Sequence, residues 1–147
     1  MEKNKHFYLK HNQSGLVADV ENNSMNVDAY IVLKKKVDND WESKQVWYYD
    51  EKEQVVNVQT GKVIGYIDRD PDTSNHKTLV QKANEHNEKY QWTYDASKKI
   101  IYIKQSGPGY SFGPHADNTF DGCKLCVNNN RTNPYPSDLF VIEYKEN

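Results

Sequence analysis

Gln13-Ser14-Gly15 returns as Gln59-Thr60-Gly61 and again as Gln105-Ser106-Gly107. The glycines at 15, 61 and 107 are separated by two equal steps of 46 residues. Each triplet follows a short apolar run: Phe7-Tyr8-Leu9, Val55-Val56-Asn57-Val58 and Ile100-Ile101-Tyr102-Ile103. A second marker trails the first at nearly the same period. Gln45-Val46-Trp47-Tyr48-Tyr49-Asp50 is echoed by Tyr90-Gln91-Trp92-Thr93-Tyr94-Asp95. Asp138-Leu139-Phe140-Val141-Ile142-Glu143 is a fainter third copy. Two markers sharing one period define an internal threefold repeat, and a repeat constrains architecture before any single segment does.

The repeats run over about 6–50, 51–95 and 96–147. Apolar runs and turn-forming residues alternate within each, as in chains of short strands. The pattern predicts strands over 7–11, 16–20, 27–35 and 45–49 in the first repeat. The second is expected to use 55–58, 62–67, 78–82 and 90–94; the third 100–104, 110–112, 124–127 and 139–144. The third repeat carries longer loops, 113–122 and 128–137, rich in Asn, Pro and Gly. No window has helical apolar spacing with caps. Twelve short strands predict an all-β fold. Three units closing on themselves leave no sheet edge exposed, whereas a three-unit solenoid would leave two open ends.

With 147 residues the chain reads as a single domain, 1–147. Hydrophobic content is only 36%, but eleven Tyr help bring aromatics to 12%, and large rings fill a core with few residues. The formal net charge of −2 argues against nucleic acid as a partner. No stretch is long and apolar enough for membrane insertion. Met1-Glu2-Lys3-Asn4-Lys5-His6 has no apolar signal region behind it. The expectation is a cytoplasmic protein, or one exported without a classical signal peptide. Cys123 and Cys126 form a lone C-x-x-C without the further ligands a zinc site needs, so two reduced thiols are expected and no cofactor or metal. No nucleophile elbow, nucleotide loop or metal cluster is present, which predicts a non-catalytic protein.

Ser14-Gly15-Leu16-Val17-Ala18-Asp19-Val20 followed by Gln45-Val46-Trp47 resembles the ricin B-type β-trefoil lectins. Each repeat of that family has a G-x-x-x-D-V-like strand and closes with Q-x-W. The resemblance covers nearly the whole chain. It implies a β-trefoil: three pseudo-symmetric four-stranded repeats closing a six-stranded barrel with a hairpin cap. Trp47, Trp92 and, by analogy, Phe140 would then be core residues.

The resemblance also implies carbohydrate binding, with galactose or N-acetylgalactosamine glycans as partners. A sugar offers an apolar face and vicinal hydroxyls, so its site needs an aromatic ring and a carboxylate or amide. The family's carboxylate lies four residues after the glycine. That position is Asp19 in repeat one, Gly65 in repeat two, with Asp68 three further on, and Ser111 in repeat three, followed by His115 and Asp117. The family's stacking aromatic falls at Lys34, and Trp41 is the substitute expected beside Gln45. The matching loops offer Asn84 and His86 in repeat two, and Asn133 and Tyr135 in repeat three. Several weak sites on one chain would raise avidity. An alternative of another class is a β-trefoil protease inhibitor acting through a long loop of repeat three. Tyr48, Tyr94 or Tyr135 could form a patch for homodimerisation.

Overall fold

The computed structural model describes residues 1–38, 43–68, 77–128 and 131–145. It contains twelve strands: β1 (His6–His11), β2 (Val17–Val20), β3 (Ile31–Lys34), β4 (Trp47–Tyr49), β5 (Val55–Asn57), β6 (Val63–Ile67), β7 (Lys77–Lys82), β8 (Trp92–Asp95), β9 (Ile100–Ile103), β10 (Phe112–Pro114), β11 (Leu125–Val127) and β12 (Phe140–Tyr144). Among the described residues the only helical segments are single 3-10 turns, and no helix is long and apolar enough to cross a membrane. Two expected strands are displaced. The one expected over 27–35 is confined to Ile31–Lys34, because 24–29 turns back on itself through the Ala29 N–H to Asn26 O bond. The one expected over 110–112 begins at Phe112, because Pro108-Gly109 lengthens the turn after Gly107, where Tyr110 N–H bonds Gly107 O.

The Q-[ST]-G triplet is a turn with a defined job. Gly15, Gly61 and Gly107 have φ of 76°, 72° and 92°, a region that costs a side chain but not glycine. Each glycine N–H donates to the carbonyl four residues back: His11, Asn57 and Ile103. Ser14 Oγ and Thr60 Oγ1 accept from the N–H two residues on, Leu16 and Lys62. The same turn built three times sets the same exit direction three times.

Three hairpins, β2–β3, β6–β7 and β10–β11, meet through their second strands. The contacts are Tyr30 with Val80, Thr78 with Cys126, and Lys124 with Val32. This closed cycle makes Tyr30, Thr78 and Lys124 corresponding residues, and likewise Val32, Val80 and Cys126. The other six strands are linked less evenly. β12–β1–β4–β5 is a continuous antiparallel ladder, while β8 and β9 form a ladder with each other and β9 adds an isolated Tyr102–Ser111 bridge. Single backbone bonds tie that pair in, Trp92 N–H to Glu53 O and Phe140 N–H to Lys99 O.

Trp47, Trp92 and Phe140 are fully buried at corresponding points. Trp47 Nε1–H donates to Ala18 O at 3.1 Å and Trp92 Nε1–H to Ile64 O at 2.9 Å. A buried indole needs such a partner, and these bonds fix each closing strand against the second strand of its own repeat. Phe112 lies edge-on between the rings of Trp92 (4.7 Å) and Phe140 (5.9 Å).

His11 joins the first turn to the last loop. Its buried ring bonds Ser137 O through Nε2 at 2.8 Å and Ser14 Oγ through Nδ1 at 2.7 Å. The carbonyl can only accept, so Nε2 carries the proton and Nδ1 accepts from Ser14. Burial pushes the pKa of His11 below its usual 6.5, against the opposing pull of the Ser137 carbonyl and Asp138. The unfolded chain therefore takes up a proton as pH falls through about 6.5 while the folded chain resists it. Stability is expected to decline from about pH 6.5 downward. Urea midpoints between pH 7 and 5 should show this, with a shallower decline in His11→Asn, which carries the residue found at corresponding position 57. Equal slopes in the two proteins would refute it.

Candidate functional site

The register carries the threefold correspondence from the third strands to the second. Val32 pairs with Asp19, Val80 with Gly65, and Cys126 with Gly113. The third counterpart of Asp19 is thus Gly113 and not Ser111, the two-residue displacement noted above. Ser111 is buried instead beside Tyr102.

In repeat one, Asp19 is the next-to-last residue of β2, with its carboxylate held by three donors. Oδ1 accepts from Val20 N–H at 2.7 Å and Lys44 N–H at 2.9 Å; Oδ2 accepts from Gln45 Nε2 at 3.2 Å. Gln45 is itself fixed, donating to Lys35 O at 2.8 Å and accepting from Val37 N–H at 3.0 Å. One lone-pair direction of Oδ2 remains for a further donor. The carboxylate borders an open depression of about 410 Å³, whose lining includes Asn22, Asn23, Val32, Lys34 and Gly122. Lys34 pairs with Asp121 at 3.5 Å. Gly122 N–H and Cys123 O both bond the backbone of Leu33, so the loop before β11 forms one wall. Trp41, the expected stacking residue, lies outside the described residues.

In repeat two the equivalent space is filled. A Cβ on Gly65 would lie 2.6 Å from Lys82 Cγ and 3.0 Å from the Tyr90 ring. Tyr90 corresponds to Gln45, and its ring meets Tyr66 edge-on at 5.3 Å. The two side chains occupy the volume that the carboxylate takes in repeat one. Asp68 is exposed and pairs with Lys77 at 2.8 Å. Asn84 and His86 stand in a different place, against Gln54, at 3.1 Å and 3.4 Å from its Nε2.

Repeat three holds a carboxylate delivered from the 3-10 turn Pro136–Asp138 that precedes β12. A Cβ on Gly113 would lie 2.6 Å from Asp138 Oδ1. Asp138, the counterpart of Gln45, is fully buried. Its oxygens accept from Asn128 Nδ2, from Tyr135 N–H at 2.8 Å and from Arg131 Nη1 at 2.8 and 2.9 Å. Arg131 also donates to Asp117, at 3.0 and 3.2 Å, and its guanidinium lies 3.7 Å from the centre of the half-exposed Tyr135 ring. An aromatic face and two carboxylates converge here, and the guanidinium of the chain itself sits among them. His115 opens the 3-10 turn His115–Asp117, and Asn133 is exposed on the loop.

Sequence reasoning brought Asp19, Lys34 and Gln45 together at one place. It also grouped Asp117 and Tyr135, but missed Asp138 and Arg131 between them. Asp138 was visible as the counterpart of Gln45 in the third copy of the closing marker, but it was not taken as a site residue. Tyr90 and Gln54 were legible only once packing was known.

No family model matches the sequence, and no curated protein matches it. Solved structures do. The C-half of an earthworm R-type lectin in complex with GalNAc superposes with a TM-score of 0.77 at 18% identity, covering 96% of this chain and 99% of that one. ThreeFoil, a designed threefold-symmetric protein, gives 0.76 at 19% identity over 94% and 97%. The β-trefoil lectin of the Vibrio vulnificus hemolysin/cytolysin, with N-acetyl-D-lactosamine bound, gives 0.67 at 14% over 97% and 96%. The chain has the β-trefoil fold of the ricin B-type lectins.

Proposed function

We propose that this protein is a non-catalytic carbohydrate-binding lectin whose principal site is the depression beside Asp19. The observation that carries the reading is the orientation of that carboxylate. Three donors and a fixed Gln45 hold it at the rim of an open depression, with acceptor capacity left over. A preorganised carboxylate binds vicinal hydroxyls with little ordering cost. Similar folds crystallised with GalNAc and N-acetyl-D-lactosamine point to galactose-type glycans. The finer architecture fits the same reading. Residues 1–147 are proposed to act as one domain whose six remaining strands close a barrel capped by the three hairpins, a reading supported by the backbone bonds at Trp92 and Phe140.

Calorimetric or NMR titration with galactose and N-acetylgalactosamine tests this. Saturable binding is expected, with shifts concentrated at residues 19–23 and 32–34. Asp19→Ala should weaken it at least tenfold, since a hydrogen bond to a charged group contributes about 1.5–3 kcal/mol. Circular dichroism must show the variant folded. A folded wild type that binds neither sugar refutes the reading.

A further inference from the structure

Repeat two keeps no carboxylate and its equivalent space is filled, yet it has a polar pocket one step away. Gln54, on the approach to β5, is 1% exposed, and its Oε1 has no hydrogen-bond partner. Its Nε2 carries two hydrogens but faces three polar atoms: Asp50 Oδ2 at 2.9 Å, Asn84 Oδ1 at 3.1 Å and His86 Nδ1 at 3.4 Å. Buried side-chain oxygens are almost always paired, so this acceptor calls for a donor. Only this repeat has an amide at this position. The three turn bonds make His11, Asn57 and Ile103 correspond, which places Gln54 where the other repeats have buried Tyr8 and Ile100.

Gln54 lines a pocket of about 250 Å³ together with Lys52, His86, Asn87, Glu88 and Gln91. That volume equals about eight waters at roughly 30 Å³ each. The lining mixes donors and acceptors, also presents the hydrocarbon parts of its polar side chains, and carries one charge of each sign. Such a lining suits a polyhydroxylated ring better than an apolar or singly charged molecule. Gln91 Nε2 bonds Lys52 O at 3.0 Å and braces two walls against each other. His86 is the wall that can yield. It is exposed, sits at φ 58° and touches Gln54 only at the long 3.4 Å distance.

We propose that the Gln54 pocket is a second saccharide subsite, in which a hydroxyl of one sugar ring donates to Gln54 Oε1 and displaces His86. It rests on the carbohydrate reading for its ligand class and not for its location.

The test is an NMR titration of the uniformly labelled protein with galactose, N-acetylgalactosamine and, as a plain polyol, glycerol. The Gln54 side-chain amide and the backbone amides of 86–91 are read. Either sugar should give saturable shifts there. They should persist in Asp19→Ala and vanish in Gln54→Met, a change matched to the apolar residues at corresponding positions 8 and 100. The proposal fails if these resonances do not move with either sugar. It also fails if they move equally with glycerol, which would mean solvent filling only, or if they move unchanged in Gln54→Met. Shifts at 19–34 without shifts at 86–91 would overturn this subsite and leave the principal site standing. The reverse pattern would do the opposite.

Discussion

Replacing Arg131 by Met is expected to cost about 3–5 kcal/mol, although Arg131 lies on a loop. Asp138 is fully buried, and Arg131 is its countercharge, with two contacts of 2.8 and 2.9 Å. Removing one partner of a buried pair leaves a charge without solvent or counter-ion, and breaking such pairs costs that much. Asn128 and the Tyr135 N–H still bond the carboxylate, which places the loss toward the lower end. The double variant Arg131→Met with Asp138→Asn removes the unpaired charge and should recover most of the loss. Urea unfolding at neutral pH measures all three proteins. A deficit under about 1 kcal/mol, or one that the double variant does not relieve, would show that the pair contributes little.

The second large effect belongs to the closing tryptophans. Trp47→Ala and Trp92→Ala should each cost about 3–5 kcal/mol, the range for truncating a large buried ring. The Phe substitution separates packing from hydrogen bonding. Phe140 shows that a phenyl ring can occupy this position of the fold. Trp92→Phe keeps most of the ring but leaves Ile64 O without its 2.9 Å donor. The expected cost is about 1–3 kcal/mol, the penalty for an unsatisfied buried carbonyl. If Trp92→Phe is as damaging as Trp92→Ala, shape and not the indole N–H holds the strand.

These two cases show what the sequence made legible. The fold could be read because it is written three times. Gln13-Ser14-Gly15 and its copies specify a positive φ at a fixed step, and a single motif of that kind would be weak. The tryptophans were assigned to the core through the resemblance to a family whose repeats close with Q-x-W, of which repeat two keeps only Trp92. The sites were less legible, because each copy has departed from the pattern independently. Asp19 kept its place and was found. Gly65 shows only a missing carboxylate; that Tyr90 fills the gap depends on ring packing across 25 residues. Asp138 was aligned with Gln45 from the end of the repeat, but Pro108-Gly109 shift the count from its front, so Ser111 was named in place of Gly113 and the two were not brought together. Arg131 has no basic counterpart, since counting back from the closing aromatic gives Asp38 and Ala83, so periodicity does not point to it. Gln54 is the opposite case. Its position in the repeat is regular, and it is set apart by an amide where the other copies have Tyr8 and Ile100 and by the absence of a partner for its oxygen.

The wall that Gly122 gives to the Asp19 depression has a bearing on biosynthesis. Asp19, Lys34 and Gln45 all leave the ribosome early, yet the residues that bond the Leu33 backbone are made about ninety positions later. A nascent chain stopped after its second repeat would hold every polar group of the depression with one side missing. Recognition would begin only when the last third of the polypeptide has been translated and folded back on the first.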